Sequence, residues 1–294
     1  MTLGIVTDST CDLPASLIEE HGLEVVPCVV IIDGREYIDG LGISREEFYT
    51  RLPGFQQAAT TSAPSLGEFA ARYQKLLDDG HEHILSIHAA GPLTSMVSTA
   101  QQAAAEFGGR VTVVDSGSLS LGLGFQVLAA AQAAEHGLEA AQAAAASTRG
   151  RLHVFAALDT LEYVRRSGRV PAALTLLGSL LSIKPLIELI DGEVKILSAA
   201  RTAKQANERL FSLMRDEGLL EQLAILHTNA DKRAHGFLQN AMMEMSGSIP
   251  RDILLVNVTP VIGTHIGPNG LGYAAIRAQT SGGSGKTSIT QGLL

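Results

Sequence analysis

Tryptophan is absent and aromatic residues make up only 4% of the 294-residue chain, so stacking on nucleic-acid bases is poorly supplied. No run of Lys or Arg appears and the formal net charge is −8, which removes the basic patch that a phosphate backbone needs. Cys11 and Cys28 are the only cysteines, too few for a disulfide framework and without metal-site spacing. Uninterrupted apolar runs are missing as well. The most apolar long segment, Leu174 to Ile190, carries Lys184, Pro185 and Glu188, so no membrane span is expected. The chain starts directly with Leu3-Gly4-Ile5-Val6-Thr7-Asp8, without a basic region and apolar signal core. The expectation is a soluble, cytoplasmic protein with no nucleic-acid partner and no integral membrane association.

With 46% hydrophobic and 18% charged residues, the composition is that of a globular protein, long enough for two domains. Strand and helix patterns alternate. Leu3–Val6 reads as a strand, with Asp12 capping the next helix and Gly22 closing it; Val25–Ile32 reads as a second strand. Ser44 and Glu47 form a capping-box pair. Thr60-Thr61-Ser62-Ala63-Pro64 reads as a hydroxyl-rich loop before a helix that Ser65 and Glu68 start and Gly80 ends. Further strands are expected at Ile84–Ile87 and Val111–Val114, with a helix over Leu93–Phe107 and Ala-rich helices after residue 123. A second region follows, with a hairpin around Asp191-Gly192, helices from Thr202 and Asp231, and strands at Leu223–His227, Ile253–Val258 and Leu271–Ile276. The fold class is therefore α/β, as two α/β domains of which the first has a mainly parallel sheet. The expected boundaries are 1–149, 150–280 and a flexible tail at 281–294. Gly285-Lys286-Thr287 echoes a P-loop, but position 280 is Thr and no strand precedes it.

The loop hydroxyls have two readings. They can cap the helix and their own backbone, or offer donors to an anion at a helix N-terminus. Asp8-Ser9, Thr60-Thr61-Ser62, Gly91–Ser95 and Asp115-Ser116 all fall at strand ends, where α/β sheets bind ligands, and this favours the second. No Gly-x-Ser-x-Gly nucleophile elbow fits a strand-to-helix turn, and no His or acidic pair has convincing ligand spacing. No metal or cofactor is expected. His265 lies in Gly263-Thr264-His265-Ile266-Gly267-Pro268, read as a glycine-bracketed loop; His81, His83, His136 and His153 look ordinary.

The ordered segments Gly4-Ile5-Val6-Thr7-Asp8-Ser9-Thr10-Cys11-Asp12-Leu13-Pro14, Thr61-Ser62-Ala63-Pro64-Ser65, Val114-Asp115-Ser116, Leu161-Glu162-Tyr163-Val164-Arg165-Arg166-Ser167-Gly168-Arg169, Ile183-Lys184-Pro185 and His265-Ile266-Gly267-Pro268 resemble the DegV family, over about residues 3–277. The resemblance implies a non-catalytic protein that binds a long-chain fatty acid in an apolar tunnel near the domain interface. It also implies that the protein presents the carboxylate to a separate ATP-binding kinase subunit, which forms the acyl phosphate. On this match Thr61 and Ser62 contact the carboxylate, while Arg169 and His265 sit at the mouth and support phosphoryl transfer. The family's usual Ser-Ser-x-Leu-Ser-Gly-Thr run is replaced by Ala90-Gly91-Pro92-Leu93-Thr94-Ser95-Met96. Thr94 keeps a hydroxyl at the usual Ser, and Ser95 replaces the usual Gly, changing donor count and headgroup room. Leu174–Leu186 and Ile253–Ile262 are expected to form the apolar wall. Two rivals stand beside this reading. One is a self-contained hydrolase or transferase of a small carboxylate using His265 and a Ser; the other is a lipid carrier or sensor with no kinase.

Overall fold

A computed structural model describes residues 2–168 and 183–279. The first half runs β1 (Leu3–Asp8), α1 (Ala15–Glu20), β2 (Glu24–Val26), β3 (Val29–Ile32), β4 (Arg35–Ile38), α2 (Arg45–Arg51), β5 (Thr60–Ser62), α3 (Leu66–Asp78), β6 (His83–His88), α4 (Met96–Ala104), β7 (Val111–Asp115), α5 (Leu121–Ala133) and α6 (Leu138–Arg149). The second half runs β8 (Leu152–Ala157), α7 (Glu162–Arg166), β9 (Lys184–Ile190), β10 (Glu193–Ala200), α8 (Ala203–Asp216), β11 (Leu220–His227), α9 (Asp231–Glu244), β12 (Leu254–Asn257), α10 (Pro260–Ile266) and β13 (Leu271–Arg277).

β2-β1-β6-β7 form a four-stranded sheet in which every pair is parallel. All six residues of β1 are buried, as expected for a strand covered by helices on both faces. The second half builds a six-stranded sheet, β10-β9-β8-β13-β11-β12, antiparallel except where β11 meets β12. Alternation of strand and helix therefore implied a parallel sheet only for the first half. In the second, the Asp191-Gly192 hairpin and the antiparallel insertion of β13 between β8 and β11 reverse the chain direction. Asp191 and Gly192 have φ of 49° and 78°, the left-handed pair that a two-residue turn between twisted strands demands.

A third sheet, β4-β3-β5, is small and antiparallel. It corrects two expectations. Val25–Ile32 is not one strand: Pro27, with no N–H for a ladder, divides it, so β2 joins the parallel sheet and β3 starts the small one. Thr60-Thr61-Ser62 is not a loop, because Val29–Ile31 offers a free edge on which these residues pair as β5. Two helix readings change too. The fourth helix begins at Met96 and not Leu93, the residues before it making turns on Ala90 and Gly91 carbonyls. Gly263–Ile266 belongs to α10, which Pro260 opens at its first turn and Thr259 caps by accepting the Val261 N–H. Asp12 caps no helix, since α1 has Pro14 at its N-cap and Asp12 turns its carboxylate inward. The Ser44 and Ser65 caps form as expected, accepting the Glu47 and Glu68 N–H groups.

One apolar core links both halves, from Ile5 and Phe69 under the parallel sheet to Val258 and Ile262 beside α10. A second core lies between α8, α9 and the six-stranded sheet. Phe69 is fully buried, its ring edge-on to His88 at 5.1 Å between centroids. Phe69→Ala should cost about 3–5 kcal/mol of stability, read from urea unfolding, whereas Phe69→Leu should cost much less.

Candidate functional site

Among the hydrogen bonds that join the two halves, Thr61 Oγ1 and His265 Nε2 lie 2.9 Å apart across 204 residues of chain. Thr61 sits at the centre of β5, paired with Val30. His265 sits in the last turn of α10. That helix approaches α2 closely enough that a Cβ on Gly263 would lie 2.3 Å from the Tyr49 hydroxyl, so only glycine fits there. Tyr49 uses that hydroxyl to donate to the Val258 carbonyl at 3.0 Å.

Around this bond is a chamber of about 330 Å³. Thr10, Thr61, Ser62, Thr94, Ser95 and His265 give it a polar side; Leu119, Ile187, Val194 and Ile262 are among its apolar lining. The apolar side continues into a second cavity of about 110 Å³ reaching Phe155, Leu158 and Leu226, with Leu119, Ile187, Val194, Ile262 and Ile266 common to both. On the opposite side Thr61, Ser167 and His265 are shared with an outer cleft of about 460 Å³ that also meets Gln56, Gln57, Glu162 and Arg166. Polarity thus falls from cleft to chamber to inner cavity. Ser95 is the N-cap of α4 but makes no side-chain cap bond, so that helix start faces the chamber uncapped by a side chain.

Behind the chamber wall lies a fully buried hydrogen-bond chain. His88 Nδ1 is 3.0 Å from Asp8 Oδ2, His88 Nε2 is 2.6 Å from Ser86 Oγ, and Ser86 Oγ is 2.9 Å from the Tyr73 hydroxyl. One assignment satisfies all four: Tyr73 donates to Ser86, Ser86 to His88, and His88 through Nδ1–H to Asp8. Asp8 also accepts the Ala89 N–H at 3.0 Å, and the Thr10 N–H and hydroxyl at 3.1 and 2.5 Å. Burial pushes the Asp8 carboxyl up, but the hydrogen bond from His88, with those from Thr10 and Ala89, outweighs it and holds it below the usual carboxylate range. The order Ser, His, Asp resembles a hydrolytic triad, yet Ser86 and His88 are both 0% exposed and Ser86 is engaged by Tyr73. No substrate carbonyl can reach Ser86.

Thr61, Ser62, Thr94, Ser95 and His265, expected as site residues, all line the chamber. Arg169 lies outside the described residues, as do positions 174–182 of the expected wall and the tail from 281. His265 is on a helix and half-buried, because Thr259 and Pro260 start α10 where the glycines suggested a loop. Of Ile253–Ile262, Val261 and Ile262 line the chamber, and the β9–β10 hairpin adds Ile187 and Val194, which the expected wall did not include. The helix end at the chamber is that of α4 and not of α3, since Ser65 is absent from the lining while Ser95 and Met96 contribute to it. Ser62, expected to face the ligand, here donates to the Ala63 carbonyl at 3.1 Å. The Asp8–His88 pair was missed; its signal was Ser86 and His88 alternating on one face of an otherwise apolar strand.

The DegV family model, described as an uncharacterised protein family, matches residues 2–278. The chain belongs to the DegV family. A DegV domain-containing protein of Streptomyces coelicolor is 36% identical over 278 residues, covering 92% of this chain and 96% of that one. A Mycobacterium tuberculosis DegV domain-containing protein is 33% identical with the same coverage. Among solved structures, a DegV protein from Thermus thermophilus described for its fatty-acid binding superposes with TM-score 0.86 at 35% identity, over 95% of this chain and 100% of that one. DegV from Bacillus subtilis, a fatty acid binding protein, gives TM-score 0.83 at 25% identity, over 94% and 99%. The architecture is accordingly the two-domain α/β fold of DegV proteins.

A carboxyl held below its unfolded value near 3.8 contributes stability that is present above that value and lost as pH falls through the lower, folded value. The stability gap between wild type and Asp8→Asn should therefore be constant from pH 7 to 5 and close below about pH 3.8, as read from urea midpoints.

Proposed function

We propose that this DegV chain binds a long-chain fatty acid and presents its carboxylate to a separate ATP-dependent kinase subunit that makes the acyl phosphate. The carrying observation is the graded cavity, with hydroxyls and His265 around one end and apolar side chains around the other. Burying a methylene stabilises by roughly 0.8 kcal/mol, so a dozen give about 10 kcal/mol. The carboxylate, once taken from water, needs several donors. Thr61, Ser62, Thr94, Ser95 and the N–H groups at the start of α4 are at hand for that. Hydroxyls leave the carboxylate nucleophilic where an Arg clamp would neutralise it. Arg169 and His265 then serve the incoming phosphoryl group at the mouth, in line with His265 facing both chamber and outer cleft. The reading takes the chain as two domains meeting near residue 150, in a cytoplasmic protein with no cofactor of its own. A hydrolase built on Ser86, His88 and Asp8 is disfavoured by the burial of Ser86, while turnover of a generic ester, lost in His265→Ala, would favour the rival that uses His265.

Mass spectrometry of the purified protein after denaturation should release a long-chain fatty acid, and delipidated protein should take it up in calorimetric titration. A delipidated protein that binds none overturns the reading. Adding the kinase subunit and ATP should yield acyl phosphate; binding without it would leave a lipid carrier or sensor.

Thr61→Val and Ser62→Ala should each weaken fatty-acid binding by about 10-fold or more without unfolding the protein, the loss expected of a hydrogen bond to a charged group. Unchanged affinity would refute the carboxylate role. Arg169→Ala should bind lipid normally and lose most acyl-phosphate formation.

A further inference from the structure

Helix α10 spans seven residues, too few to hold a position by itself, yet it brings Val261, Ile262, His265 and Ile266 to the chamber. The backbone leading into it is tied, residue by residue, to the first half. Arg45 donates to the Asn257 carbonyl at 2.5 Å and Tyr49 to the Val258 carbonyl at 3.0 Å. The Thr259 N–H donates to Asp12 Oδ1 at 2.8 Å, and its hydroxyl to Asp39 Oδ2 at 2.6 Å. Asp12 is the hub of this set. Its side chain is fully buried, Arg45 reaches the same Oδ1 at 3.1 Å, and Oδ2 accepts the Ser120 hydroxyl at 2.6 Å. Ser120 is held there at φ 51°, a left-handed conformation uncommon for serine.

We propose that Asp12 is a positioning residue of the site: by fixing the Thr259 N–H it sets α10 so that His265 meets Thr61. A buried carboxylate is a poor way to glue two apolar surfaces, because desolvation offsets most of its attraction. Its directional bonds instead fix where a helix start lies. Burial pushes the Asp12 carboxyl up to about 6 against the pull of Arg45, Ser120 and Thr259, in keeping with a group kept there for geometry. The consequence for affinity rests on the fatty-acid reading above; the consequence for His265 does not.

The test uses full-length protein with ¹⁵N-labelled histidine, the His265 ring signals being assigned by their loss in His265→Gln. In wild type the ring ¹⁵N shifts report a fixed tautomer and a bonded Nε2. Asp12→Gly, which removes the acceptor of the Thr259 N–H and tolerates the φ of 58° at that position, should move them to the values seen in Thr61→Val, while Thr259→Ser, which keeps both the N–H and the hydroxyl, should retain wild-type shifts. Phe237→Leu, in the separate second core, should lower thermal stability and leave the shifts unchanged. If Asp12→Gly does not fold, Thr259→Pro, which removes the N–H at a residue whose φ of −57° proline shares, carries the test. Fatty-acid affinity should fall about 10-fold in the variants that move His265. Wild-type shifts in folded Asp12→Gly, or in Thr259→Pro where that variant carries the test, would overturn the proposal. Wild type that binds no fatty acid, with the shifts moving as expected, would overturn the lipid reading and leave the positioning role standing.

Discussion

Two carboxylates buried within five residues at the end of β1 govern how this site is built. Water would solvate Asp8 and Asp12 well, and their removal from it demands that the protein supply donors in fixed directions. Asp8 takes its donors from the first half: His88, Ala89 and Thr10. Asp12 takes one from Thr259 in the second half, one from Ser120 and one from Arg45. The chamber lies between these two demands, and Thr10, a neighbour of both, lines it. Solving the solvation problem of β1's end and shaping the cavity are therefore one structural act.

The chamber also sorts its hydroxyls by chemistry. Thr10 spends its hydrogen on Asp8, and Ser86 spends its own on His88, so neither is a general donor or nucleophile. Thr61 is poised against His265, while Ser95 leaves the α4 helix start without a side-chain cap. A binding role follows more readily from this arrangement than bond breaking. The Ser86, His88 and Asp8 grouping, which has the elements of a hydrolytic triad, lies beneath the wall.

Motifs with local causes were legible from the chain. The Ser44 and Ser65 caps, the Asp191-Gly192 turn and the alternation giving the parallel sheet all depend on residues within a few positions of each other. The hydroxyls of the site were legible because they cluster at strand ends. What was not legible depends on distant partners. Thr60–Ser62 becomes a strand because β3 has an open edge, and Asp12 faces inward because Thr259, 247 residues away, and Ser120 and Arg45 offer it donors. His265 reads as a loop residue among glycines, yet Gly263 is there so that Tyr49 can come close. Glycine marked a contact, where sequence alone suggested freedom.

The small sheet carries a dynamic consequence. β5 is three residues long, lies at an edge, and pairs only with β3 among the described residues. Segments with few ladder bonds and exposed backbone open at a free energy far below that of global unfolding. The strand bearing Thr61 and Ser62 can thus part from its neighbour while the parallel and six-stranded sheets stay intact. Amide protons of Thr60–Ser62 are expected to exchange faster than those of the buried strands β1 and β6. Exchange of whatever occupies the chamber would then be timed by the fraying of one short ribbon and need no separation of the two halves.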